Sequence, residues 1–275
     1  MPDRRSLSRL SLLAVAALFV IGAPSHAWKN GPPDNKVTNS AADCQSPPYS
    51  THDWIADHGR ALLAEDERAW LDPYRRLYLI GTEAPDYAEI QEGCGTPHRG
   101  YNDTGGGRHD LRFDASGDVT YTMPALRARQ EYDKAVAAYR AGEKGHAAFY
   151  LGAAAHYIGD LSQYGHTIKG ERHHKDFEDA VGALTRSFDG GGTFEKFITD
   201  GRLPAVTAYD AVIRTGRHTL AGKPPLLPPA EMDERYHQNG LADPAVIASV
   251  GASLNRAVNE TAAMLRNFYQ TAVNP

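Results

Sequence analysis

Two pairs of residues carry most of the chemistry legible in this chain. His156 and Asp160 stand four residues apart, and so do His174 and Glu178. On a helix such positions lie one above the other, so each pair sets an imidazole and a carboxylate where both can chelate one ion. His166 follows Asp160 just past the expected helix end. An acid near a histidine at helical spacing also describes a surface salt bridge. The neighbourhood argues for more: residues 152–158 read Gly-Ala-Ala-Ala-His-Tyr-Ile, and a polar pair aimed into an apolar interior needs a partner to offset its desolvation. A metal ion is such a partner. His173 stands beside His174, but only His174 has the four-residue relation to Glu178 and is the expected ligand. His58, His98, His146, His218 and His237 have no ligand-spaced partner and read as surface or satisfied polar residues.

The elements that must position these groups read as helices. Ser50-Thr51 is a helix start signal for a stretch through Leu63, and a second helix is expected near residues 70–80. Residues 81–121, rich in Gly and Pro, read as loop with a short strand pair near 111–113 and 119–121. Apolar residues at three- and four-residue spacing then predict helices over 125–141, 146–163 and 173–187, with shorter pieces within 193–220. The Pro-rich segment 223–229 is a break, and a final helix is expected over 244–272. The fold class expected is all-α, a single compact multi-helix domain over residues 28–275.

Residues 1–27 read as a signal peptide. Arg4, Arg5 and Arg9 form a basic start, residues 10–23 an apolar run, and Ser25-His26-Ala27 a small-residue cleavage site. The expected product is secreted or periplasmic and begins at Trp28; the Arg4-Arg5 pair leaves the export route open between the general and twin-arginine systems. Losing three Arg and one Asp with the leader takes the formal charge from −5 to −7. Such a chain has no general electrostatic attraction for nucleic acid, so no stable nucleic-acid partner is expected. Two cysteines exclude a cysteine-ligated zinc cluster, whereas an oxidising compartment allows Cys44 and Cys94 to pair.

With these residues on the page, the sequence resembles the zinc-dependent phospholipase C family, whose fold is shared with the P1/S1-type nucleases. The likeness runs from Trp28 to about Val181. Thr51-His52-Asp53-Trp54-Ile55 looks like the segment supplying a ligand through His52, and Ala84-Pro85-Asp86-Tyr87 is similar to the family's Asp-Tyr element. His109 matches the histidine after a variable loop, and residues 149–166 match the long ligand-bearing helix. The resemblance implies three zinc ions: one on Asp86, His109, His156 and Asp160, one on His166, His174 and Glu178, and one on Trp28, His52 and the bridging Asp160. Three Zn²⁺ and three carboxylates would leave a charge of about +3 in one cleft, enough to draw a phosphodiester to an acidic protein. Asp86 is the candidate catalytic carboxylate, orienting or deprotonating water, and Tyr87 the candidate substrate-binding aromatic. Because the family binds metal through its N-terminal amine, a chain retaining residues 1–27 should have an incomplete third site.

The activity so implied is a secreted phospholipase C releasing diacylglycerol and a phosphorylated headgroup, acting as a monomer that touches a membrane or micelle surface transiently. Its headgroup preference stays open. Of the family's choline-binding groups only Tyr87 is retained; Gly31 and Gly106 stand where an acid and a phenylalanine are expected. A staple between the two longer insertions, through Cys44 and Cys94, is a further expectation. The alternative activity is a P1/S1-type nuclease or 3′-nucleotidase using the same metals. Zinc held only for structure is disfavoured, because structural zinc normally has four protein ligands and the set His166, His174 and Glu178 offers three.

Overall fold

The computed structural model describes residues 28, 49–86, 89–92, 96–99, 103, 107–189 and 191–275, the segments 89–92 and 96–99 by backbone alone. In chain order these form α1 (Thr51–Ala61), α2 (Glu65–Arg68), α3 (Arg75–Thr82), β1 (Glu89–Glu92), β2 (Thr96–Arg99), β3 (Arg112–Phe113), β4 (Val119–Tyr121), α4 (Met123–Arg140), α5 (Lys144–Asp160), α6 (His174–Gly182), α7 (Ala208–Ala221), α8 (Pro229–Asn239) and α9 (Pro244–Phe268). The architecture is all-α. The two hairpins, β1 antiparallel to β2 and β3 antiparallel to β4, are small additions to it. Among the described residues no helix is long and apolar enough to cross a membrane.

Helix α5 is the axis of the bundle. From Leu151 to Asp160 every residue is buried, and apart from His156 and Asp160 this stretch is apolar on every face, as a helix segment enclosed on all sides must be. The helix touches α1, α3, α4, α7 and α9. Side chains such as Phe149, Leu151 and Ile158, fully excluded from water, each contribute about 1.5–3 kcal/mol of transfer free energy. The contact with α3 is closer than side chains would allow. A Cβ on Gly152 would lie 1.9 Å from the Tyr78 carbonyl oxygen, and one on Gly81 would lie 2.0 Å from the Phe149 carbonyl oxygen. Backbone therefore meets backbone at this crossing, which holds the C-terminal end of α3 against the middle of α5.

Several boundaries differ from the sequence reading, each for a local reason. The helix expected near 70–80 is divided: Asp72-Pro73-Tyr74 forms a 3₁₀ turn and α3 starts only at Arg75, Pro73 occupying a first-turn position where its missing N–H does no harm. Helix α8 was not anticipated. It starts on Pro229 directly after the proline break, and its buried face is only Pro229, Met232 and Asp233, too narrow to give a strong apolar period. The hairpin of β1 and β2 lies in the segment read as loop. The strands expected near 111–113 and 119–121 are found as β3 and β4. Tyr87, Cys44, Cys94, Gly31 and Gly106 lie outside the residues whose side chains are described, as does the leader 1–27.

Candidate metal centre

The candidate His, Asp and Glu ligands come from six places in the chain. The capping box at Ser50, whose hydroxyl accepts from the Asp53 N–H while the Asp53 carboxylate accepts from the Ser50 N–H, starts α1 and sets His52 in its first turn. Asp86 follows the end of α3. His109 lies in the turn before β3, His156 and Asp160 on the last turns of α5, and His166 on a 3₁₀ turn, Tyr164–His166. Helix α6 begins with His174 and carries Glu178 one turn on. His52, Asp86, His109, His156, Asp160, His166 and Glu178 are all buried, none more than 6% exposed.

These side chains converge on two neighbouring points. Ligand-type atoms of His52, Asp86 and His156 lie within 4.8 Å of one another, as do those of His109, His156 and Asp160, and those of His166, His174 and Glu178. Asp160 joins the first two sets: its Oδ1 is 3.4 Å from His52 Nε2 and its Oδ2 is 2.8 Å from His109 Nδ1 and 3.4 Å from His156 Nε2. Asp86 Oδ1 is 3.6 Å from both His109 Nε2 and His156 Nε2. In the other set Glu178 Oε1 is 3.0 Å from His174 Nε2 and 3.9 Å from His166 Nε2. Donors sharing an ion at about 2.0–2.1 Å stand roughly 3–3.5 Å apart.

The partners of the imidazoles sharpen this picture. His156 donates Nδ1–H to the Thr82 carbonyl at 2.7 Å, which leaves its Nε2 lone pair facing Asp86 and Asp160. His166 Nδ1 meets Asp110 Oδ1 at 2.9 Å, and His174 Nδ1 meets the Glu171 carboxylate, so the Nε2 atoms of both rings point at Glu178. A ring whose outer N–H is held in this way is fixed in tautomer and orientation for metal binding. Among the described residues both ring nitrogens of His52, Nε2 of His109, Nε2 of His166 and Oδ1 of Asp160 are buried with no hydrogen-bond partner. Each such atom costs about 1–3 kcal/mol if nothing satisfies it. Their convergence at ligand spacing fits a divalent cation, and the N/O donor set suits zinc.

Electrostatics agree with the geometry. Burial lowers His52 to about 4 and holds His156 well below the ordinary imidazole value, so both are neutral as ligands must be. Burial opposes protonation of His109 too, but the Asp160 and Asp86 carboxylates outweigh it and push the ring up to about 9. His174 is pushed up to about 10, because Glu171 and Glu178 overcome its burial. The carboxylates thus call for positive charge at both points.

Trp28 is buried, and its indole N–H donates to the Gly159 carbonyl at 2.9 Å and to Ser162 Oγ at 3.0 Å. Its ring lies 5.5 Å from that of Phe177. The first residue after the expected cleavage point is thereby tied to the end of α5 that carries Asp160. Gly159 also makes room for His52, since a Cβ there would lie 2.8 Å from His52 Nδ1. His173 turns away from the centre and meets His237 instead. Sequence reasoning missed Thr82, Asp110, Glu171 and Ser162. Asp110 directly follows His109 and Glu171 stands three residues before His174, so both were in reach of a spacing argument; Thr82 acts through its backbone and left no signal.

The same architecture occurs in solved structures. The alpha-toxin of Clostridium absonum superimposes with a TM-score of 0.52 at 14% identity, over 84% of this chain and 66% of the toxin. The alpha-toxin of Clostridium perfringens from an avian strain gives a TM-score of 0.50 at 16% identity, over 82% of this chain and 64% of the toxin. The chain therefore spans just under two thirds of the length of either toxin. Neither protein-family models nor curated protein sequences give a match to it. At such identities the likeness is one of fold, the all-α phospholipase C-like fold expected from the sequence.

Proposed function

We propose that this chain is an exported zinc-dependent phospholipase C, a single catalytic unit from Trp28 onward that cleaves the glycerol-side phosphate ester of phospholipids. The observation that supports it most is the convergence of buried imidazoles and carboxylates at chelating distance around the end of α5, where the His52 nitrogens, Nε2 of His109 and His166 and Oδ1 of Asp160 lack a hydrogen-bond partner among the described residues. The likeness in fold to clostridial alpha-toxins supports it independently. In this reading Trp28, His52, Asp86, His109, His156, Asp160, His166, His174 and Glu178 hold three zinc ions. Zinc bound there would polarise phosphoryl oxygens and make a bound water acidic near neutral pH.

The chain's own residues do the rest. Asp160 bridges the His52 and His109 sides of the centre and keeps them in register. The contacts of Thr82, Asp110 and Glu171 hold the imidazoles in the tautomer that ligation needs. Asp86, the most exposed of the three ligating carboxylates at 6%, orients the attacking water and accepts its proton. Tyr87 follows Asp86 directly and is the headgroup contact of this reading. The enzyme works as a monomer that meets a membrane or micelle surface transiently.

The test uses zinc-loaded protein beginning at Trp28, offered mixed-headgroup phospholipid micelles and single-stranded DNA in parallel, with a chelated control. Chelator-sensitive diacylglycerol release is the expected result. Nucleotide release with intact lipid would overturn the reading in favour of a P1/S1-type nuclease.

A further inference from the structure

We infer that His173 and His237 form an accessory site for a borderline transition-metal ion on the outer face of the α6–α8 contact, separate from the buried centre. His173 Nε2 and His237 Nδ1 are 2.8 Å apart, with ring centroids at 5.0 Å and planes 24° from parallel. His237 is exposed and His173 half-buried, so solvent reaches the pair and can fill the remaining coordination positions. At 2.8 Å one ring's N–H donates to the other ring's nitrogen, so an ion takes the place of that proton. The donor ring shifts its proton to its other nitrogen, and the rings turn and open by roughly half an ångström to the about 3.3 Å that a tetrahedral ion about 2.0–2.1 Å from each nitrogen needs.

The two rings stand on segments already fastened together. Just before His173, Arg172 donates its backbone N–H to Asp233 Oδ1 at 3.0 Å and its Nε–H to Asp233 Oδ2 at 2.7 Å, and its Nη2 reaches Glu234 at 2.8 Å. Beside His237, the Tyr236 hydroxyl donates to the Asp176 carbonyl at 3.0 Å, and its ring packs edge-on against Phe177 at 5.1 Å. Little ordering is left for an ion to impose, which favours binding by two ligands alone. The charge of Arg172, which directly precedes His173, is matched by Asp233 and Glu234. Two imidazoles select Zn²⁺, Ni²⁺ or Cu²⁺ over Mg²⁺ or Ca²⁺, which prefer oxygen donors.

Binding here has a consequence for α6. His173 is its N-cap residue, and His174 and Glu178 sit on its first turns. An ion shared with His237 pins that end of the helix to α8 without touching the centre. The inference does not depend on the activity proposed above.

The experiment uses protein beginning at Trp28 with its centre zinc-loaded and excess metal removed, then titrated with Ni²⁺ by calorimetry and with Cu²⁺ by electron paramagnetic resonance. The expected result is one further, weaker ion per chain, a two-nitrogen hyperfine pattern for Cu²⁺, and loss of both in His237→Ala with the zinc content of the centre unchanged. Equal Ni²⁺ binding by wild type and His237→Ala would overturn the inference. So would a copper signal without two nitrogens in the wild type, or loss of the centre's zinc in the variant.

Discussion

Replacing Gly152 by alanine tests the link between packing and the centre. Alanine is the better helix former by about 1 kcal/mol, so propensity alone predicts a gain. The structure predicts the opposite. The new Cβ would lie 1.9 Å from the Tyr78 carbonyl oxygen and 3.0 Å from the Gly81 Cα, and real Cβ contacts essentially never fall below 3.0 Å. Helices α3 and α5 must therefore separate by about 1.1 Å at their crossing. The obstacle is backbone, which no rotamer change can relieve, so the overpacking penalty belongs near the upper end of the usual range, about 3 kcal/mol. Set against the propensity gain, the net loss is about 2 kcal/mol. The same shift draws Thr82 and Asp86 away from His156, and misplacements near 1 Å typically cost about 100-fold in function. Guanidinium denaturation of chelator-treated protein should show a lower midpoint, and zinc content after gel filtration should fall. An unchanged or higher midpoint with full zinc would refute the close-crossing argument.

Two further outcomes follow from named contacts. Asp110→Ala removes the acceptor for His166 Nδ1, so zinc affinity at the His166, His174 and Glu178 set should drop about 10- to 100-fold in chelator competition; unchanged affinity would deny Asp110 an orienting role. Asp57 is buried between Arg75 and Arg60, and although burial raises its pKa those guanidiniums outweigh it and hold it below 3.8. A lowered carboxyl pKa contributes stability that is present above 3.8 and is lost as pH falls through the folded value. Asp57→Asn should thus cost about 1–3 kcal/mol at pH 7, with Arg75 half-exposed and able to rehydrate, and the difference from wild type should shrink in acid. Denaturation curves at pH 7 and pH 3 check this, and a constant difference would contradict it.

Local chemistry explains how much could be read without coordinates. Helical spacing is a one-dimensional property, so the His156–Asp160 and His174–Glu178 pairs, the burial of residues 152–158 and the Ser50 cap were legible in the chain. Spacing also favours His174 over His173 as a ligand, and His173 meets His237 at 2.8 Å. Distance along the chain hid the rest. His52 and Asp160 are 108 residues apart and meet at 3.4 Å only because Gly159 lets α1 approach α5, and His156 is oriented by a backbone carbonyl 74 residues away. Helix α8 carried too narrow an apolar face to announce itself, yet it supplies His237 and Asp233. The sequence by itself determined which groups are fit to bind a metal, because that depends on residue type and on the period of one helix. Tertiary structure alone decided which of them share a point in space, because that depends on how closely separate backbones can approach.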